Sequence, residues 1–229
     1  MIGKNSKLNT AGALLFLGGL QWVMAVMAAE TLFPDYSARA NDLSDLASTV
    51  PPNTSLIEPS ATLFNAATFL LGLMVLISAA LIYFDCRDRL FVTLFSVFGV
   101  GAMAVGVFPG DTGFIHGLSA LVTFLASSLS AIAAWRLEKS PLSYISVIVG
   151  LFSLTVLLLA IFAGEASPFW IAFGRGGEER MVAYPVVAWM MCFGGHLMGV
   201  PRAEDRFTKF SKARRGGPQN EVASRSRKF

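Results

Sequence analysis

The chain has 229 residues, of which 54% are hydrophobic and only 14% charged, against about 25% charged in a soluble domain. So few charges cannot coat a water-facing surface, which excludes an ordinary soluble globular protein. The formal net charge of +3 says little about partners, because half of the basic residues lie in one tail after residue 200.

Apolar runs of membrane-spanning length alternate with short polar breaks, and a bilayer core needs roughly 20 apolar residues per helix. Continuous runs without strict alternation select helices over a closed barrel. The fold class expected is therefore all-α, a polytopic bundle of six transmembrane helices. The spans read as Gly12 to Ala29, Ala61 to Phe84, Leu90 to Phe108, Ile115 to Trp135, Tyr144 to Ala163 and Val182 to Val200. Residues 1–11 precede this domain, 12–200 make it up, and 201–229 form a tail. Lys4 and Lys7 followed by an apolar run and Val26-Met27-Ala28 also resemble a signal peptide. The run is longer than the 7 to 15 residues usual for one, which favours a span.

Lys and Arg of short loops stay preferentially in the cytoplasm. Lys4 and Lys7, Arg87 and Arg89, Arg136 and Lys139, and nine basic residues from Arg202 to Lys228 fall on one side, and only Arg39, Arg175 and Arg180 on the other, 15 against 3. Six spans in the cell membrane with both termini cytoplasmic satisfy every loop; five or seven would misplace a basic end. The tail, rich in Ser and Gly and poor in apolar residues, is expected to be disordered and drawn to anionic lipid. The topology bias accounts for its charge, so nucleic acid is not called for as a partner. Cys86, at the cytoplasmic end of span two, and Cys192, within span six, are poorly placed for a disulfide.

With this topology nine of the fifteen acidic residues lie outside, so function is sought there. The first outer loop, Glu30 to Ser60, carries Asn41-Asp42-Leu43-Ser44-Asp45-Leu46, and Leu43, Leu46 and Ile57 argue that it packs on the bundle. Asp42 and Asp45 share a face if the stretch is helical. Asn53-Thr54-Ser55 is a nominal glycosylation sequon. Asn65, four residues into span two, should face the bundle interior. The second outer connection, Phe108 to Gly117, turns tightly through Pro109, Gly110 and Gly113, and carries Asp111 and, at the mouth of span four, His116. A lone histidine there is either a donor, base or ligand, or a hydrogen-bonded structural residue.

The third outer loop ends in Gly174-Arg175-Gly176-Gly177-Glu178-Glu179-Arg180, with Tyr184 four residues on, sharing a helical face with Arg180. An arginine on the outer side needs a partner: a bound anion, or Glu179, Asp45 or Asp111. His116 and His196 are too far apart in depth, roughly 20 Å, to ligate one haem iron, and a single outer histidine falls short of a zinc set. No metal and no cofactor is called for. Gly113 and Gly117, and Gly195 and Gly199, have the spacing of close helix contacts.

Asn41-Asp42-Leu43-Ser44-Asp45-Leu46, then Leu63-Phe64-Asn65, then Gly106-Val107-Phe108-Pro109 with His116-Gly117, then Glu179-Arg180 with Tyr184-Pro185 and Trp189, resemble a prokaryotic membrane family catalogued as domain of unknown function 998. The resemblance spans about residues 10 to 200; a glycine common after Ser-Asp-Leu is here Ala47. That family is distantly similar to eukaryotic six-helix proteins of the Frag1, DRAM and Sfk1 type, some linked to lipid remodelling. The resemblance implies a link to lipid and favours one site built from Asp45, His116 and Arg180.

Two functions follow as expectations. In the first, an outer-leaflet site binds or processes a lipid headgroup or another anionic small ligand. His116 transfers a proton, Asp45 orients it, Ser44 or water is the nucleophile, and Arg180, with Asp42, Asn65, Asp111, Glu179 and Tyr184, contacts the ligand. In the second, the protein is a non-enzymatic receptor, transporter or organiser, and the same residues form an internal salt-bridge network. The scarcity of ionisable residues mid-span weighs against proton-coupled transport. Nothing in the sequence specifies an oligomeric state.

Overall fold

The computed structural model describes residues 4–51, 54–86 and 88–199. Arg87, Asn53 of the sequon, and the basic tail lie outside the described residues. Six α-helices account for the chain: α1 (Lys4–Leu32), α2 (Ser60–Cys86), α3 (Arg89–Val107), α4 (Phe114–Ala133), α5 (Leu142–Ala163) and α6 (Pro168–Met198). Each is long and apolar enough to cross a membrane, as backbone self-sufficiency in lipid requires. The chain is a six-helix membrane protein with no strand among the described residues. Single 3-10 turns sit at Ser44–Leu46, Gly110–Thr112, Ala134–Arg136 and Gly164–Ala166.

Helix α1 starts at Lys4, eight residues before its apolar run, while helices α2 to α5 follow theirs closely. The sixth does not: it starts at Pro168, fourteen residues before the run that marks it. The segment from Gly174 to Arg180 is polar and glycine-rich, so by hydropathy it reads as loop, yet it is helical beyond a kink at Gly174 (φ 76°). At 1.5 Å per residue α6 is roughly 46 Å long, well over the hydrocarbon thickness of a bilayer. Its start is fixed by Ser167, which caps the Phe169 amide at 3.3 Å, with Pro168 in the first turn where its missing N–H costs nothing.

Consecutive helices pack antiparallel, and α6 returns to α1 to close a ring. One end carries the long connection 33–59 and the turns at 110–112 and 164–166; it is called here the long-loop end. The opposite end carries the α2–α3 and α4–α5 connections. There Asp88 caps the Phe91 amide at 3.0 Å and pairs with Arg136 at 2.7 Å. Inside the ring, this half is filled by aromatic rings. Phe91 stacks on Phe95 (5.0 Å between centroids) and Trp189 on Phe193 (5.6 Å), with Phe91 edge-on to Phe193. The buried Trp189 N–H needs an acceptor and finds the Ser146 hydroxyl of α5 at 2.8 Å, which also bonds Glu138 Oε2 at 2.5 Å.

Small residues permit close approach, but not those that the spacing points to. Gly117 and Gly195 have open space where a side chain would stand. Close contacts fall elsewhere: a Cβ on Gly72 of α2 would come within 2.5 Å of the Gly99 carbonyl and the Met103 amide of α3, and one on Gly12 of α1 within 2.4 Å of the Gly194 carbonyl of α6. A four-residue interval occurs on every face of a helix, and only packing selects the face that matters.

Two measurements test this packing. Gly72→Val should cost about 1–3 kcal/mol by overpacking, while Gly195→Ala, on an open face, should be neutral or slightly stabilising; thermal unfolding in detergent reads both. Burial pushes the Glu138 carboxyl above the ordinary carboxylate value, opposed by hydrogen bonds from Ser146 and Trp189. The protonated form is thus favoured by folding, so this stabilisation is complete below the unfolded value and is lost as pH rises through the folded one. Glu138→Gln should therefore flatten the fall in melting temperature above pH about 5 and exceed the native chain in stability at alkaline pH.

Candidate functional site

The polar residues of the long-loop end gather on the kink of α6. A left-handed backbone at Gly174 breaks the helix ladder, and the amide of Gly176, which would otherwise bond the Ala172 carbonyl, instead donates to the Arg39 carbonyl at 3.1 Å. The Arg39 guanidinium takes the released carbonyls, donating to Ala172 O at 2.8 Å and Ile171 O at 3.3 Å. Only glycine allows this exchange: a Cβ on Gly174 would strike the Arg39 backbone, and one on Gly176 the Asn41 carbonyl. The turn 37–41 therefore lies directly on α6.

Arg180, one turn further and 8% exposed, holds that turn in place. Its Nη1 donates to the carbonyls of Ala38 (3.0 Å), Asn41 (3.2 Å) and Gly176 (2.8 Å). Its Nη2 donates to Glu30 Oε1 of α1 and to the Tyr36 hydroxyl, both at 2.7 Å. Tyr36 in turn donates to the Asp42 carbonyl at 2.7 Å. Burial pushes the Tyr36 phenol well above its ordinary value against the pull of Arg180, so it stays a neutral donor. The ion-pair partner of Arg180 is thus Glu30, at the end of α1, and not Glu179, Asp45 or Asp111.

The neighbouring acids are engaged separately. Asp42 pairs with Arg175 at 2.5 Å; burial pushes its carboxyl up, Arg175 opposing and Asp45 adding to the push. Asp45, buried on the 3-10 turn, accepts from the Asp42 amide at 3.0 Å and from Asn41 Nδ2 at 3.4 Å. Glu179 Oε2 accepts from the Leu43 amide at 2.5 Å. Glu178 accepts from the buried Ser167 hydroxyl. Asp111 is exposed and has no ion pair among the described residues.

His116 is 5% exposed, and its Nδ1 bonds the Phe108 carbonyl at 2.8 Å, joining the end of α3 to the start of α4. The Asp45–His116 pair expected from the sequence does not form, because Asp45 is occupied within its own turn and a backbone carbonyl orients the imidazole. Asp45, Asp111 and His116 do not converge either: among the described residues no three His, Cys, Asp or Glu side chains stand as a metal set. His196 lies in the last turn of α6, at the opposite end from His116. Tyr184 meets Trp22 edge-on at 6.1 Å. Asn65 does face inward, with its Oδ1 buried and unpartnered among the described residues.

Below this cluster the ring holds a narrow, partly open cavity of about 60 Å³. Its walls are Trp22 of α1, Phe64 and Leu71 of α2, Phe98 and Ala102 of α3, Phe124 of α4 and Ala183 of α6, with Leu43 from the long loop. On α4 the lining runs from His116 to Ser127, eleven residues or roughly 16 Å of helix. Three chemically active side chains from three segments, Ser44, His116 and Glu179, line this same cavity.

Residues 16–196 match the family described as "Protein of unknown function (DUF998)". The chain belongs to that family. The match reaches into all six helices. No curated protein and no solved structure matches the chain.

Sequence reasoning selected Arg180, His116, Asp42, Asp45 and Glu179 but missed Glu30 and Tyr36 as partners, and the bridging role of Arg39. A usable signal existed: Arg39, Arg175 and Arg180 are the three basic residues that depart from the charge bias, and all three serve the seam between the long loop and α6. Breaking a buried, multiply bonded arginine costs about 3–5 kcal/mol. Arg180→Met should lower stability by that order in detergent. Arg180→Lys should recover little, since an ammonium cannot reproduce the planar fork.

Proposed function

We propose that the protein sits in the cell membrane with both termini cytoplasmic and its long-loop end outside, and that it binds a lipid-like amphiphile within the helix ring. The orientation rests on the basic residues, fifteen of eighteen of which fall on one side. The observation that carries the binding reading is the cavity. Apolar walls with a few convergent polar groups are the usual chemistry of a small-molecule site, and a bore of about 60 Å³ suits a slender chain, not a bulky ligand. In a membrane protein the abundant ligand of that shape is an apolar chain. The polar groups Ser44, His116 and Glu179 would receive the end of such a molecule.

This reading shifts the ligand contacts away from Arg180. The two terminal nitrogens of a guanidinium carry four N–H donors, and in Arg180 five acceptors already surround them. Arg180, Asp42, Asp45 and Tyr36 then serve as the support of the site, and Asp111 takes no part. A proton-transfer role for His116 keeps only its Nε2, since Nδ1 is occupied.

A second reading has a specific observation behind it. The same saturation of Arg180 supports a structural organiser whose charges bind only one another. The two readings differ at the cavity. Ala102→Phe, which fills it from α3 without touching the arginine cluster, should leave the chain folded at a cost of about 1–3 kcal/mol of stability in detergent. It should deplete an amphiphile that co-purifies with the native chain, measured by mass spectrometry of the extracted lipids. If the extracts of native and filled proteins are the same, the structural reading stands and the binding reading falls.

A further inference from the structure

The lining of the cavity contains seven hydrogen-bonding side chains, and most of them are already committed. Thr68 donates to the Phe64 carbonyl and accepts from Trp22 Nε1. Thr123 and Ser127 donate back to helix carbonyls of Ser119 and Phe124. What remains without a hydrogen-bond partner among the described residues is His116 Nε2, the Ser44 hydroxyl and the second carboxylate oxygen of Glu179.

The character of these three atoms is fixed by their surroundings. A backbone carbonyl can only accept, so His116 Nδ1 must carry the proton that joins it to Phe108. In the neutral ring Nε2 is then an acceptor. The free Glu179 oxygen accepts when the carboxyl is ionised and can donate when it is protonated, and Ser44 can act either way. Among the described residues neither nearby arginine is free to balance an anion here: both terminal nitrogens of Arg180 are engaged and Arg175 is held by Asp42. A phosphate or carboxylate would bring further acceptors and negative charge to a site that offers acceptors and a carboxyl.

Resting on the reading of the cavity as a chain-binding site, we infer that the ligand's polar end is a non-anionic hydrogen-bond donor, an alcohol or an amine on a long apolar chain. The amine's N–H hydrogens satisfy both His116 Nε2 and Glu179, whereas the alcohol's single O–H satisfies His116 Nε2 and its lone pairs accept from Ser44. The site selects against free fatty acids and phosphate-headed lipids, the opposite of what an outer arginine next to acidic residues suggests.

The test uses the full chain in phosphatidylcholine nanodiscs, titrated with four probes of one brominated chain length: hexadecanol, hexadecylamine, palmitate and hexadecyl phosphate. Bromine quenches tryptophan at contact, and Trp22 lines the cavity, so the signal is the quenching that disappears in Trp22→Phe. One hydrogen bond involving a charged or buried group changes affinity by about tenfold or more. After correction for membrane partition, the alcohol and the amine should quench at about tenfold lower concentration than both anions, and His116→Phe should erase the difference. Ser44→Ala, which removes a hydroxyl that bonds no other described residue, should weaken the alcohol more than the amine, which keeps the inference testable if the histidine variant does not fold. An amine that outbinds the alcohol, with the excess lost in Glu179→Gln, identifies the charged form as the ligand class; equal affinities identify the neutral donor. If all four probes quench alike and Ala102→Phe abolishes the quenching, the headgroup inference is overturned and chain binding stands. If no probe gives quenching that depends on Trp22, chain binding itself is overturned.

Discussion

The arrangement of the long-loop end depends on one buried guanidinium. Arg180 sits where α6 has resumed after its kink, and its donors reach α1 through Glu30, the loop through Ala38, Asn41 and Tyr36, and its own helix through Gly176. A charge taken from water must be paired and fully hydrogen-bonded to be tolerated, and the only way to supply five acceptors at one point is to bring three segments together. The cost of burying the arginine thus specifies the path of the loop. Arg39 makes the same argument in reverse, for a loop arginine completes the broken ladder of α6.

Placing the loop in this way roofs the ring. Leu43, Leu46 and Ala47 are buried against the helices, and the Leu43 amide is held by Glu179. Ser44 is carried to the cavity by that contact, and His116 reaches it from the other side because the short turn after α3 returns its side chain to the Phe108 carbonyl. The result is a division of labour among polar residues that a list of them does not suggest. Arg180, Asp45 and Tyr36 are spent on structure, while Ser44, His116 and Glu179 each keep an atom unspent at the edge of an apolar space.

The far half of the ring is built on a different basis. Aromatic rings from α3 and α6 fill the interior there, and the Glu138–Ser146–Trp189 chain ties α5 to them. The contrast in filling explains why the cavity lies toward the long-loop end. Ala102 and Ala183 leave space where Phe91, Phe95 and Phe193 close it.

By itself the sequence determined the number and approximate extent of the helices, because a bilayer demands about 20 apolar residues per crossing and the chain has six such runs. It also determined that the polar side chains of Asp42, Asp45, His116, Glu179 and Arg180 belong to one end, since alternate loops of a six-span chain must share a side. It did not determine which of them touch. The start of α6 was hidden because Gly174 to Arg180 is polar, and the hydrogen bonds that keep it helical come from residues 130 and more positions away. Tertiary structure alone decided that Arg180 pairs with Glu30, that a carbonyl rather than Asp45 orients His116, and that Ser44, His116 and Glu179 share a cavity. Topology sorts residues by depth and side, which periodicity and charge encode locally. Azimuth around the ring, which sets contact, exists only once all six helices have packed.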